Sequence, residues 1–261
     1  MLELGLGNRV ALVTGASDGL GLATVNRLAH EGVRVVACAR RAEHLEQRIA
    51  KIEAEIAAET GVQILPVAMD VTDDADCQRA ITTAIDKFGQ LDILINNAGA
   101  SAAGGFAAVS DEQWYADIEL KLMAAVRMTR YALPHLQRAG GGSIVNATIG
   151  GAKAPLAGTL PTSVTRAAGL NLTKSLANEY ASQNIRVNSI CIGLLKSAQW
   201  ERRAADQSVD ELYAEMAKKV PLGRVGEASD YADLVAFLCS DSATYITGAA
   251  INLDGGMCPV V

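Results

Sequence analysis

Two stretches of this chain bring together residue types whose spacing suits chemistry. The first is "TGASDGLG", Thr14 to Gly21, set between an apolar run that reads as a strand and a helical pattern. In that setting each glycine has a physical task. Gly15 permits a tight turn, Gly19 lets backbone approach a diphosphate, and Gly21 lets the helix pack closely on the sheet, while the first amides of the helix meet the phosphate charge. Ser17, Asp18 and Leu20 fill the same turn and are expected to contact the dinucleotide. The second stretch, "PTSVTRAAG" at 161–169, opens like a helix and sets Thr162 and Arg166 four apart, on one face. A threonine hydroxyl and a guanidinium can hold a polar ligand, but neither titrates near neutral pH.

About 20 residues beyond the glycines, a dinucleotide fold chooses its cofactor: an acid bonds a ribose 2′-hydroxyl, and an arginine accommodates a 2′-phosphate. That point reads "CARRAEHL", so Arg40 and Arg41, with no acid before them, favour NADP(H). Asp18 would oppose a 2′-phosphate if it pointed that way.

These residues need a scaffold, and the chain spells one out. Short β-branched runs fall at 9–15, 33–39, 62–70, 91–99, 142–148, 185–193 and 248–256, and helical patterns at 19–31, 41–60, 74–88, 110–138, 162–182, 209–217 and 227–240. Strands separated each time by a helix imply a parallel sheet covered on both faces. The expected fold is α/β of Rossmann type, with a seven-stranded parallel sheet. With no linker, repeat or low-complexity tract, residues 1–261 read as a single dinucleotide-binding domain.

Composition narrows the function class. Half of the 261 residues are hydrophobic and the formal net charge is −6, without any long Lys/Arg block, which speaks against nucleic acid and anionic membranes as partners. Small molecules and further copies of the chain are the expected partners. The five cysteines are scattered, with no C-x-x-C spacing, so neither a disulfide framework nor a metal site is expected. A start without a basic, then apolar, leader and the lack of a membrane-length apolar run suggest a soluble cytoplasmic protein. His30, His44 and His135 are expected on the surface, away from the strand ends.

Four features in order, "TGASDGLG" (14–21), "MDVTD" (69–73), "NNAG" (96–99) and the closing "PLGRVGEASDYADLVAFLCSDSATYITGAAINLDGG" (221–256), resemble the classical short-chain dehydrogenase/reductases over almost the whole chain. The resemblance implies that Asp70 and Val71 meet the adenine, and that Asn96, Asn97, Ala98 and Gly99 line the cofactor. It also implies that Gly193, Leu195 and Ser197 flank the nicotinamide, with Ile192 and Ser197 standing where the family has proline and threonine. A lid around 194–220 is implied, with Trp200 and Tyr213 either closing over a ligand or anchoring the lid. Dimers or tetramers are implied as well.

The family's reacting tetrad is Asn, Ser, Tyr and Lys. Thr162 takes the Tyr position and Arg166 the Lys position, where it would bond the nicotinamide ribose; Thr148 or Ile149 takes the Ser position, and Glu119 the Asn position. The changes at Glu119 and Arg166 suggest that these two come within salt-bridge or single-water distance, the alternative being that Glu119 faces solvent on the long helix. Lys153 and Lys196 lie on the correct edge of the sheet and are either further candidate proton sources or, as reads better for each, ordinary loop lysines. The resemblance therefore implies an NADP(H)-dependent oxidoreductase of a carbonyl or alcohol with a non-standard proton donor. A silent cofactor-binding protein and non-redox chemistry on the same scaffold are the alternatives.

Overall fold

A computed structural model describes residues 3–56, 59–201 and 208–260. Residues 57–58 of the expected second helix and 202–207 of the expected lid lie outside the described residues.

Seven strands form one parallel sheet: β1 (Val10–Thr14), β2 (Arg34–Ala39), β3 (Ile64–Ala68), β4 (Ile93–Asn96), β5 (Gly142–Ile149), β6 (Ile185–Ile192) and β7 (Ala250–Leu253). Their order is β3-β2-β1-β4-β5-β6-β7. The order reverses at β1/β4, which opens the crevice where ligands of such sheets bind, beyond the carboxyl ends of the strands. Every residue of β1 is buried, as its unbroken apolar run requires of a central strand covered on both sides.

Helices α1 (Gly19–His30), α2 (Ala42–Ile56) and α9 (Ala228–Cys239) pack one face, where Val25, Leu28, Leu45, Ile49 and Val235 join the core. Helices α3 (Asp74–Phe88), α5 (Ala124–Arg138) and α6 (Thr162–Tyr180) pack the other, through Cys77, Ala80, Met128 and Ala177. Local signals fix the helix ends. Asp73 caps α3 by accepting from the Asp76 amide at 3.0 Å, and Gly89 closes it in the left-handed region at φ 78°.

The expected helix 110–138 is interrupted. Helix α4 (Asp111–Ile118) begins at a capping box between Ser110 and Gln113, passes into a π turn at Glu119–Met123, and continues as α5. Such turns widen the helix by one residue and recur at functional sites. Two short helices, α7 (Ala198–Glu201) and α8 (Val209–Ala217), precede α9. A two-residue ladder joins Ala103–Gly104 to Leu160–Pro161 beside the start of α6. Among the described residues no helix is long and apolar enough to cross a membrane.

Candidate active site

Parallel strands put all their carboxyl ends on one edge, so the glycine loop after β1, the "NNAG" turn after β4 and the ends of β5 and β6 meet there. At the glycine loop the backbone does the shaping. Gly15 holds φ 68° and Gly19 φ 53°, a region L side chains rarely adopt. A Cβ on Gly21 would strike the Gly15 carbonyl, whereas the space beside Gly19 is open. Asn97 Nδ2 donates to the Thr14 and Gly15 carbonyls at 3.0 and 3.2 Å, and the amides of Asn97 and Ala98 donate to Thr14 Oγ1 at 3.0 and 3.1 Å. Asp18, the N-cap of α1, makes no side-chain cap bond, so it does not compete for the helix's first amides. A cradle that a β-carbon would fill, open on the side of a helix N-terminus, fits a dinucleotide diphosphate.

The Asp18 carboxylate faces sideways. Arg41 Nη2 donates to its Oδ2 at 2.7 Å and His44 Nε2 lies 2.9 Å from its Oδ1. Arg41 is therefore engaged within the protein, while Arg40 is exposed beside it. His44 is not remote from the site: the first turn of α2 brings it to the mouth of the glycine loop. Ser17 Oγ also donates to Asp18, at 3.3 Å.

Asp70 Oδ1 accepts from the amide and hydroxyl of Thr72, closing the turn after β3, and Val71 is buried against the core. Asn96 departs from its expected place along the cofactor. Its Nδ2 donates to Asn146 Oδ1 at 2.8 Å, and Asn146 in turn donates to Thr173 at 2.9 Å, so Asn96 belongs to a polar chain inside the molecule. Alternation along β4 turns Asn96 inward and leaves Asn97 at the edge.

Gly99 lies against Arg166, and a Cβ there would collide with Nη2. Arg166 Nη1 donates to the Ala147 carbonyl at 2.6 Å. Its Nε is buried with no hydrogen-bond partner among the described residues. Burial lowers the Arg166 guanidinium from its usual range, and Asp117 opposes that shift. Gly193, just past β6, lies tight against Asp254, just past β7, where a Cβ would collide with it. Leu195 is buried and bridges to Gly226. The Ser197 amide donates to the Tyr213 hydroxyl at 3.1 Å. Tyr213 is thus an anchor rather than a lid over a ligand: its ring packs with Met216 and Val225, and Lys196 Nζ lies 5.7 Å from the ring centroid.

Beside the start of α6 the polar side chains are fully engaged with one another. Thr162 Oγ1 donates to the Ala102 carbonyl at 2.6 Å, and accepts from the Ala102 amide at 3.1 Å and from Lys121 Nζ at 2.7 Å. One hydrogen and two lone pairs are all a hydroxyl has, so in this state Thr162 has nothing left with which to orient a carbonyl. Lys121, at the π turn, is buried and forms an ion pair with Asp117. Asp117 Oδ2 accepts from Thr165 Oγ1 at 2.6 Å. Burial lowers the Lys121 ammonium from its usual range; Asp117 raises it again, and Arg166 lowers it.

Four other candidate groups have partners elsewhere in the protein. Glu119 does not pair with Arg166; its Oε2 accepts from Arg127 Nη1 at 2.6 Å. It lies two positions from Asp117, about half a helical turn, which puts it on the opposite face. The Thr148 hydroxyl is turned into the sheet, donating to the Ile190 carbonyl at 3.1 Å, so it offers nothing to the pocket. Lys153 Nζ caps the Ala250 carbonyl at 2.8 Å on the edge strand β7. Lys196 forms an exposed ion pair with Glu227 at 2.5 Å. Tyr231 on α9, whose phenol Arg166 acts on, is wholly buried, and burial pushes its hydroxyl well above the ordinary tyrosine range.

Lys121 and Asp117 are the residues that motif reasoning passed over. A signal was present, since an acid four positions before a lysine on a helix is a standard neighbour pair.

Comparison with known proteins agrees with this geometry. A family model described as enoyl-(acyl carrier protein) reductase matches residues 15–258. Dehydrogenase/reductase SDR family member 4 of Oryctolagus cuniculus is 34% identical over 256 residues, covering 96% of this chain and 94% of that protein. L-Sorbose reductase from Gluconobacter frateurii, crystallised with NADPH and L-sorbose, superposes with a TM-score of 0.94 at 32% identity, over the whole of both chains. An NADPH-bound short-chain oxidoreductase from Pseudomonas aeruginosa PAO1, described as containing an atypical catalytic center, superposes at 0.93 with 34% identity, over 98% of this chain and 99% of its own. With the glycine loop, the parallel sheet and these relatives in agreement, the chain belongs to the short-chain dehydrogenase/reductase family of oxidoreductases.

Proposed function

We propose that this chain is an NADPH-dependent reductase of a small carbonyl compound, working in reverse on the alcohol, in which Lys121 rather than a phenol is the source of the proton. The observation that carries the reading is the 2.7 Å hydrogen bond from Lys121 Nζ to Thr162 Oγ1, at the position where the family's phenol stands. Gly15, Gly19 and Gly21 would hold the diphosphate, Arg40 the 2′-phosphate, and Arg166, through its unpaired Nε, the ribose. Bound NADPH supplies the hydride.

Thr162 turns its hydroxyl hydrogen from the Ala102 carbonyl to the substrate oxygen and takes a replacement from Lys121 in the same motion. A free threonine alkoxide never forms, and Lys121 ends as a neutral amine beside Asp117, recharged when product release opens the pocket to water. The Arg166 charge nearby favours oxygen that is becoming negative. NADPH use is supported by the two NADPH-bound neighbours, and L-sorbose is the first substrate to try because one of them holds it. Assembly with further copies of the chain and a cytoplasmic location belong to the same reading; exposed Val164 on α6 is compatible with such a contact.

The test is fluorescence titration with NADPH and NADH, then NADPH oxidation with L-sorbose and a panel of aldehydes and ketones. Tighter binding of NADPH and its consumption are expected. The rate should be level at low pH and fall as pH rises through the Lys121 midpoint, which lies below the ordinary lysine value. Binding without turnover across the whole panel would remove the redox reading, and full turnover by Lys121→Met would remove the role of Lys121.

A further inference from the structure

Lys121 and Arg166 put two cations into one buried pocket, and the carboxylate that acts on both is Asp117. Asp117 is only 4% exposed and the Lys121 side chain is sealed from solvent. A lone buried carboxylate would be costly, and so would a lone buried ammonium. Each oxygen of Asp117 has a separate task. Oδ1 receives the Lys121 ammonium, one helical turn away along the chain. Oδ2 receives the Thr165 hydroxyl from α6 at 2.6 Å, which fixes the plane of the carboxylate. Thr165 is itself buried, and Thr162, the other partner of Lys121, is three residues earlier in the same helix. The network therefore ties α4 and the π turn to the first turn of α6 through two hydroxyls and one ion pair.

We propose that Asp117 is a positioning residue of this site, holding Lys121 beneath Thr162 as an ammonium ready to give up a proton, with Thr165 as the clamp that orients the carboxylate. This rests on the reading of Lys121 as the proton source, but it makes a separate claim about what keeps that lysine charged. Two groups act on Lys121: Asp117 from the preceding turn of its own helix, and Arg166 from α6 facing it. Burial and Arg166 both drive the proton off, and Asp117 is the opposing charge that holds it on, beside the Thr162 hydroxyl that accepts from the ammonium. Removing the carboxylate's charge while keeping its shape should discharge the lysine without disturbing the glycine loop.

The experiment is a carbon-13 NMR titration of the lysine Cε resonances in the full chain, with and without NADPH, the Lys121 signal being assigned by its loss in Lys121→Met. In the unmodified protein Lys121 should be charged at pH 7. In Asp117→Asn its midpoint should fall by roughly 1–3 pH units, the range expected for losing an adjacent opposite charge, while NADPH affinity by fluorescence stays within about twofold. A midpoint that does not move overturns the proposal. If Asp117→Asn does not fold, Thr165→Val is measured instead, with a smaller fall in the same direction expected and no fall counting against the proposal. The catalytic reading stands or falls on a different measurement, NADPH oxidation by Lys121→Met. An unmoved midpoint with an inactive Lys121→Met condemns Asp117 alone. A moved midpoint with an active Lys121→Met condemns the catalytic reading and leaves the electrostatic role of Asp117 in place.

Discussion

The glycine loop is shaped by backbone, and the junction of α4 and α6 by side chains. The loop is set by positive φ angles, by a carbonyl that tolerates no β-carbon above it, and by Asn97 stitching β4 to the turn. The junction is set by the side chains of Lys121, Asp117, Thr162 and Thr165, joined across α4, the π turn and α6. A site written in backbone can lose function through almost any change at its glycines, yet its ligand is hard to alter. A site written in side chains can be given a different proton donor while the fold stays as it was. On the proposed reading, that contrast lets one edge of one sheet hold a backbone-built cofactor cradle beside a reaction centre built from side chains.

The comparison can be broken most forcefully at Lys121. Lys121→Met should lower the reduction rate by about 10²–10⁴ and, by leaving Asp117 unpaired in the interior, cost about 3–5 kcal/mol of stability. NADPH affinity should hold. Adding Asp117→Asn should recover most of the stability and none of the rate, which calorimetry and steady-state kinetics will separate. Gly21→Ala tests the other region. Its methyl meets the Gly15 carbonyl first, with Asn97 Nδ2 beside it, so a loss of about 1–3 kcal/mol in stability should come with at least a tenfold weaker NADPH complex in fluorescence titration.

Smaller effects sharpen the boundary between the two regions. Asp18→Ala releases Arg41 from an ion pair that is largely solvent-exposed and worth about 0.2–1 kcal/mol. The freed guanidinium should tighten NADPH by up to about fivefold and leave NADH unchanged; equal gains for both would mean that Arg41 does not read the 2′-phosphate. Glu119→Gln should be the mildest, within about 0.5 kcal/mol by thermal melt and without effect on turnover. A large loss of rate there would return Glu119 to the reaction centre.

The legibility of the sequence follows the same division. All seven strands and the cradle were readable, because unbroken apolar runs and glycines in a strand–turn–helix setting report directly on burial and backbone angle. Thr162 and Arg166 were readable as departures from a family pattern. Their partners were not, since a helical wheel drawn through 110–138 does not announce the π turn at Glu119–Met123, and a position carried over from relatives pointed at Glu119. Thr148 and Lys153 were misread for a simpler reason. Being near the right edge does not say which way a side chain turns, and both had carbonyl partners in β6 and β7 waiting for them.

Asp117 and Lys121 look inward while Glu119, between them, looks out toward Arg127. Gaining or losing one residue ahead of this turn would rotate everything after it by about 100°, carrying the ammonium toward water and splitting it from its counter-charge. Inheritance of this centre therefore tolerates replacements far better than insertions or deletions. Descendants of the chain should keep the spacing from Ser110 to Lys121 fixed even where the letters between them drift.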